Sequence, residues 1–278
     1  ELATSAATHG YLPLLARDSS IHGQLRTGVK SYRRLFGREP KAIWLPECAY
    51  RPAYITDDKR KRPGIETFLA ENSLKLFFRE THTITGGQPV GVAAGDVIGP
   101  YGASKRRYVI PSSATQTTPE RETTTYSAYY VSDTVAGPQA EEHSGVAVIG
   151  RNNDTGQKVW SSDAGYPGDP DYREFHKKAG TSGMQYWRVS GAGVDLGFKD
   201  YYYPEWAAAK VDQHAENFAH LVDDLLRKYH TESGEFGLIS SNYDTELFGH
   251  WWFEGVAWLG KVLRFLALDN EVELTTAS

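Results

Sequence analysis

Cysteine occurs once in the 278 residues, at Cys48, so no internal disulfide can form. A lone thiol fits a reducing compartment, and the expected location is cytoplasmic. No signal peptide is legible at the N-terminus. No run of about 18 apolar residues occurs, so no membrane-spanning helix is expected. Charge of one sign is not in excess either: 30 Lys and Arg stand against 35 Asp and Glu, a net charge of −5. That balance leaves no electrostatic footprint for nucleic acid or an anionic membrane. The short runs Lys59-Arg60-Lys61-Arg62 and Lys105-Arg106-Arg107 read as solvated loop charge.

Several chemistries are missing at the level of motif. No GxSxG elbow presents a serine nucleophile. His9, His82, Asp96, His143 and His250 include metal-ligating types, but no HxxxH, HxH or CxxC spacing joins them, so no metal site is expected. Gly191-Ala192-Gly193 lacks the strand-to-helix context of a dinucleotide fingerprint, and no other glycine-rich phosphate loop occurs. No cofactor is expected, and no internal repeat of fixed period is visible. Nothing in the residues speaks to an oligomeric state.

Hydrophobic residues make up 40% and charged residues 23%, the balance of a globular chain with a sizeable core. The length suits one large α/β domain or two smaller ones. Aromatic content is high: 7 Trp, 17 Tyr and 11 Phe, or 13%. Such rings fill cores, and they also serve as flat platforms for sugar faces. Position, not composition, separates the two uses.

The first third alternates strand and helix signals. Residues 1–8 read as a strand running into a loop with His9, Gly10 and Tyr11. Ser19 or Ser20 would cap a helix over 21–36, where Ile21, Leu25, Val29, Tyr32 and Phe36 recur at helical spacing and Gly37 supplies the stop. A strand is expected over 41–45, a helix over 64–72 and a strand over 74–79, ending at Thr81-His82. This order implies a parallel sheet with crossover helices. Residues 83–145, rich in Gly, Ser, Thr and Pro, read as a long insertion over a functional face, with β-like pieces at 108–110 and 126–131. A strand resumes over 146–149, residues 152–206 read as irregular and aromatic, and helices are expected over 205–229 and 253–268, with a strand over 235–241 between them.

The candidate functional residues follow predicted strand ends: His9, Glu47, His82 and Asp244. In barrels of parallel strands, that edge is where active sites form. Any one such residue is often only a loop residue or a helix cap; recurrence at several ends makes the functional reading the stronger. Glu47 lies in Trp44-Leu45-Pro46-Glu47-Cys48-Ala49-Tyr50, an apolar setting in which a carboxylate reads as buried and therefore paired or functional. Asp244 and Glu246 lie two apart in Tyr243-Asp244-Thr245-Glu246-Leu247-Phe248-Gly249-His250-Trp251-Trp252 and would point the same way on an extended segment. Chemistry alone leaves open which of them reacts. Two carboxylates among Trp and Tyr match glycosidic bond cleavage, where one attacks the anomeric carbon and the other protonates the leaving oxygen.

On those two segments the sequence closely resembles glycoside hydrolase family 57, and within it the 1,4-α-glucan branching enzyme group. Thr8-His9-Gly10-Tyr11-Leu12-Pro13-Leu14-Leu15, Gly165-Tyr166-Pro167-Gly168-Asp169 and Tyr172-Arg173-Glu174-Phe175-His176 extend the likeness over nearly the whole chain. The resemblance implies an α/β fold: a distorted (β/α)7 barrel of mainly parallel strands, incomplete here, with the long insertion at about 83–145. It implies retaining chemistry without an obligatory metal, on an α-glucan such as amylose or a glycogen-like polysaccharide. It makes Glu47 the nucleophile and Asp244 the general acid/base. His9, Trp44, Tyr50, His82, Trp160, Trp187, His250 and Trp251 are its expected substrate contacts. Nothing here matches the family's first strand or its C-terminal helical part, so residues 1–278 are expected to be an internal piece of a longer catalytic domain. The expected reaction is branching, cleaving α-1,4 and forming α-1,6 linkages. The alternatives are an α-amylase or 4-α-glucanotransferase of the same family, or a non-catalytic glucan-binding protein. A metal-dependent deacetylase would need a His/Asp triad that the sequence lacks.

Overall fold

The structure, a computed structural model, describes residues 2–87, 97–99, 102–104, 119–132, 143–161 and 165–277. The chain divides into two compact units: Glu1–Gly87 with Thr118–Arg151 and Thr275–Ser278, and Gln88–Thr117 with Asn152–Leu274. In chain order the first unit carries α1 (Asp18–Phe36), β1 (Ala42–Ile43), β2 (Tyr54–Ile55), β3 (Lys61–Arg62), α2 (Ile65–Glu71), β4 (Leu76–Arg79) and α3 (Thr81–Thr85). The hairpin strands β5 (Val97–Gly99) and β6 (Gly102–Ser104) belong to the second unit, and β7 (Ala128–Tyr130) and β8 (Ala147–Gly150) return to the first. The second unit continues with α4 (Asn153–Trp160), α5 (Pro204–Ser233) and α6 (Gly255–Ala267).

In the first unit the sheet order is β1-β4-β8-β7. β1, β4 and β8 run parallel, with Ala42 opposite Leu76 and Leu76 opposite Ala147; β7 is antiparallel to β8. This is the expected α/β class, with crossover helices between parallel strands. α1 forms where the sequence places Ile21, Leu25, Val29 and Tyr32 on one stripe, and all four are buried. Ile21, Leu25 and Val29 join Ile65, Phe68 and Leu69 of α2 and Ile43, Phe77 and Val148 of the sheet in one core. Each such side chain contributes roughly 1.5–3 kcal/mol by leaving water. Gly37 ends α1 at φ 66°, its N–H donating to the Arg33 carbonyl at 2.9 Å.

The start of the chain departs from the sequence reading. Among the described residues 2–8 there is one parallel bridge, Thr4 to Ile43, with Thr4 N–H on Ala42 O at 3.0 Å and Trp44 N–H on Thr4 O at 2.9 Å. The neighbouring backbone groups go to α1 instead: Tyr32 Oη donates to Leu2 O at 2.8 Å, and Thr8 N–H donates to Gln24 Oε1 at 2.9 Å. Gly28 permits that approach, because a Cβ there would lie 2.1 Å from Ser5 O. Neither Ser19 nor Ser20 caps α1. The N-cap is Arg17, with no side-chain cap, and Asp18 in the first turn pairs with Arg62 at 2.8 Å.

In the second unit α5 and α6 pack around Trp258, which is fully buried. Its ring centroid lies 5.0 Å from Phe218, 5.1 Å from Trp252 and 5.9 Å from Tyr166. Two expectations fail here. The stretch 152–206 is not wholly irregular, since α4 forms with Asn152 as its cap, Thr155 N–H donating to Asn152 Oδ1 at 3.0 Å. Residues 235–241 form no regular strand; Glu235 N–H and O bond to Ser233 Oγ and His230 Nδ1 at the end of α5, at 3.1 Å each. The expected β piece at 126–131 forms as β7, whereas the one at 108–110 lies outside the described residues. No helix among the described residues is long and apolar enough to cross a membrane.

Candidate active site

Because β1, β4 and β8 are parallel, and Thr4 extends the same order, the residues that follow them share the C-terminal edge of the sheet. His9, Glu47 and His82 all follow that edge. After β1 the chain turns sharply through the short 3-10 turn Pro46–Cys48. Glu47 sits at φ 56°, ψ 25° and Cys48 at φ 52°, the left-handed region that non-glycine residues avoid. A backbone of that kind costs on the order of 1 kcal/mol or more at each residue and persists only where its surroundings over-determine it.

The surroundings here do so. Cys48 N–H donates to Leu45 O at 2.8 Å and Ala49 N–H to Pro46 O at 3.1 Å. The Arg79 guanidinium donates to the Cys48 carbonyl, and Cys48 Sγ donates to Phe78 O at 3.2 Å. Leu45, Pro46 and Ala49 anchor the turn by burial. Burial pushes the Cys48 thiol up to about 11, against the pull of the Arg79 charge, so it is a packed thiol rather than a nucleophile.

The buried setting expected of Glu47 is not found: its side chain is 61% exposed. The turn buries its neighbours and projects the carboxylate outward, where Oε1 meets His9 Nε2. Burial therefore does not explain Glu47; the strained, braced turn that displays it does. Arg79, which braces this turn, is marked in the sequence only by the charged Arg79-Glu80 pair that ends the apolar Leu76-Phe77-Phe78.

The other first-unit candidates diverge. Trp44 is half-buried with its ring 6.1 Å from Phe78. Tyr50 turns inward: its ring stacks on Phe77 at 5.2 Å, and its hydroxyl donates to the buried Glu66 at 2.7 Å. Burial, then the Glu66 charge and hydrogen bond, pushes its phenol up. His82 opens α3 half-buried, and burial lowers its basicity, with Glu80 opposing and Arg79 assisting.

In the second unit a cleft of about 240 Å³ is lined by Trp160, Asp244, Glu246, Leu247 and Trp251. Asp244 does not follow a strand, as expected, but opens a 3-10 turn, Thr245–Leu247. Leu247 N–H donates to Asp244 O at 3.2 Å and Trp252 N–H to Leu247 O at 2.8 Å, which folds the segment back and sets Trp251 beside the carboxylates. Trp160, the last residue of α4, is 40% exposed and Trp251 is 42% exposed. Phe175 braces Trp251 at 4.2 Å and His250 at 5.1 Å. Trp187 lies apart from that lining, bridged to Tyr201 and covered by Lys177 Nζ at 4.6 Å from its ring.

The whole chain, residues 1–278, matches Glycosyl hydrolase family 57. It is 47% identical over 282 residues to a 1,4-alpha-glucan branching enzyme of Thermococcus kodakarensis, covering 100% of this chain and 37% of that protein. It superposes on the crystal structure of that branching enzyme with a TM-score of 0.80, covering 46% of it. The branching enzyme of Pyrococcus horikoshii gives 0.76 at 41% identity, with 44% covered, and the alpha-amylase AmyC of Thermotoga maritima gives 0.71 at 27% identity, with 47% covered. In each case this chain is covered in full, so it spans under half the length of the relatives it matches. With the family matched from end to end, the chain belongs to glycosyl hydrolase family 57.

Proposed function

We propose that this chain carries the catalytic residues of a retaining 1,4-α-glucan branching enzyme. The observation that carries the reading is Asp244 in a cleft between two exposed indoles, Trp160 and Trp251. An indole face stacks on the apolar face of a pyranose, and a carboxylate beside it is placed for proton transfer to a glycosidic oxygen. The strained turn that displays Glu47 supports the second role, since backbone strain of this kind collects at reacting groups.

In this reading Glu47 attacks the anomeric carbon of an α-1,4-linked chain while Asp244 protonates the departing oxygen, leaving a glycosyl ester on Glu47. Asp244 then takes the proton from a 6-hydroxyl of an acceptor glucan, whose oxygen displaces Glu47. The product is an α-1,6 branch with net retention. His9 hydrogen-bonds the Glu47 carboxylate and holds it in place for attack. The partners are amylose and glycogen-like polysaccharide, in a reducing, cytoplasmic setting. The likeness to an alpha-amylase supports a second reading, hydrolysis, in which water replaces the acceptor at the same ester.

Glu47→Gln in the full-length protein tests the assignment. Turnover should fall by at least about 10³-fold, with glucan binding by calorimetry unchanged. Retained turnover would remove Glu47 as nucleophile.

A further inference from the structure

Beside the cleft lies a buried ion pair that the proposed chemistry does not use. Glu174 and Lys199 are each only 7% exposed, and Lys199 Nζ lies 3.2 Å from Glu174 Oε2. Lys199 also donates to Val189 O at 2.6 Å. Taking two charges out of water costs several kcal/mol unless both are well bonded, so a buried pair of this kind needs a reason.

Its other end supplies one. Glu174 Oε1 accepts from both the backbone N–H of His176, at 2.8 Å, and the His176 Nδ1, at 2.9 Å. Burial would raise the Glu174 acid, but the two bonds from His176 together with Lys199 outweigh it and hold Glu174 as a carboxylate. A carboxylate fixed on Nδ1 sets the tautomer: Nδ1 carries the hydrogen, and Nε2 of the neutral ring is an acceptor. The His176 side chain is 39% exposed, and its bonds to Glu174 use only Nδ1 and the backbone. The ring stands beside the cleft, its centroid 5.2 Å from Phe175 and 6.5 Å from Trp251, roughly edge-on to both.

We propose that His176 is a substrate-contacting residue, positioned by Glu174 and Lys199, whose Nε2 accepts a hydrogen bond from a glucose hydroxyl of the chain stacked on Trp251. A pyranose lying on an indole projects its hydroxyls sideways in its own plane, toward an acceptor at the indole's flank rather than over its face. Trp251 supplies the face and His176 the flank. A bonded hydroxyl also fixes how far the sugar slides on the ring, which stacking alone leaves loose. The inference rests on the α-glucan reading above.

The experiment is steady-state kinetics on amylose with the full-length protein, with melting temperatures measured alongside. His176→Ala should raise KM about five- to tenfold, the worth of one hydrogen bond, with kcat little changed. His176→Gln, which restores an acceptor, should recover most of that loss. Glu174→Gln should shift KM in the same direction, because the imidazole is then free to turn. A structural role alone would lower the melting temperature and leave KM in place, and that pattern overturns the proposal. So does wild-type KM in His176→Ala when the wild-type protein is active. A wild-type protein inert on α-glucan would overturn it together with the reading it rests on, and so tells the two failures apart.

Discussion

Glu47, the proposed nucleophile, reverses the usual relation between a reacting carboxylate and burial. Its neighbours Leu45, Pro46 and Ala49 are buried and its backbone is forced left-handed, yet its side chain stands in solvent beside His9. The turn is the costly element and the carboxylate is what it displays. Tyr50 shows the opposite outcome. Three residues further on, it spends its hydroxyl on Glu66 and its ring on Phe77, inside the core. At the same scale Trp160 is the platform of the proposed site. It ends α4, it is 40% exposed, and it lines the Asp244 cleft. Trp160→Ala should weaken amylose binding by about tenfold, the loss of one stacked ring and its buried area. Trp160→Phe should keep most of the affinity. Titration calorimetry reads both, and equal affinity in all three proteins would remove Trp160 from the site.

At the scale of elements, the segment 165–172 is tied to α5 through His214. Its Nδ1 meets the Tyr172 hydroxyl at 2.8 Å, its ring stacks on Tyr166 at 4.5 Å, and Nε2 lies 3.6 Å from Asp169. Burial first, then Lys210 and Lys158, lowers the His214 basicity below its ordinary 6.5, with Asp169 opposing. The native state therefore takes up its proton later than the unfolded chain does. Stability is at its full value above 6.5 and falls as the pH drops through 6.5, until the folded group also titrates. The melting temperature should decline over that interval, and His214→Gln should show a shallower decline, with His82 supplying part of what remains. An unchanged slope in the variant would clear His214 of the effect.

The long helices were legible in advance because periodicity is a local property. The stripe Ile21, Leu25, Val29, Tyr32 could bury only as a helix, and α1 and α6 form within a few residues of their expected ends. Short extended pieces were not, since a strand exists only through its partner. Around the Thr4 bridge, Leu2 and Thr8 turn their backbone groups to Tyr32 and Gln24, and Glu235 turns its own to the end of α5, so neither segment pairs as a full strand. α4 is masked in the sequence by the aromatic residues around it, although Asn152 followed by Asp154 marks its cap.

For the whole molecule, the near balance of 30 basic and 35 acidic residues suits a neutral polymer as ligand. Stacking and hydrogen bonds release few counterions, so the dissociation constant for amylose should change by less than about twofold between roughly 50 and 500 mM salt. A change of tenfold or more would point to a charged ligand and away from glucan. The sequence by itself determined the family, the two carboxylate segments and the main helices. Those are runs of consecutive residues, whose identity and period need no knowledge of distant contacts. Tertiary structure alone decided which side chains face solvent, that the sheet order is β1-β4-β8-β7, and that Glu174 meets Lys199. The reason is physical. Burial and ion pairing depend on what a segment packs against, and Lys199 lies 25 residues from Glu174 along the chain.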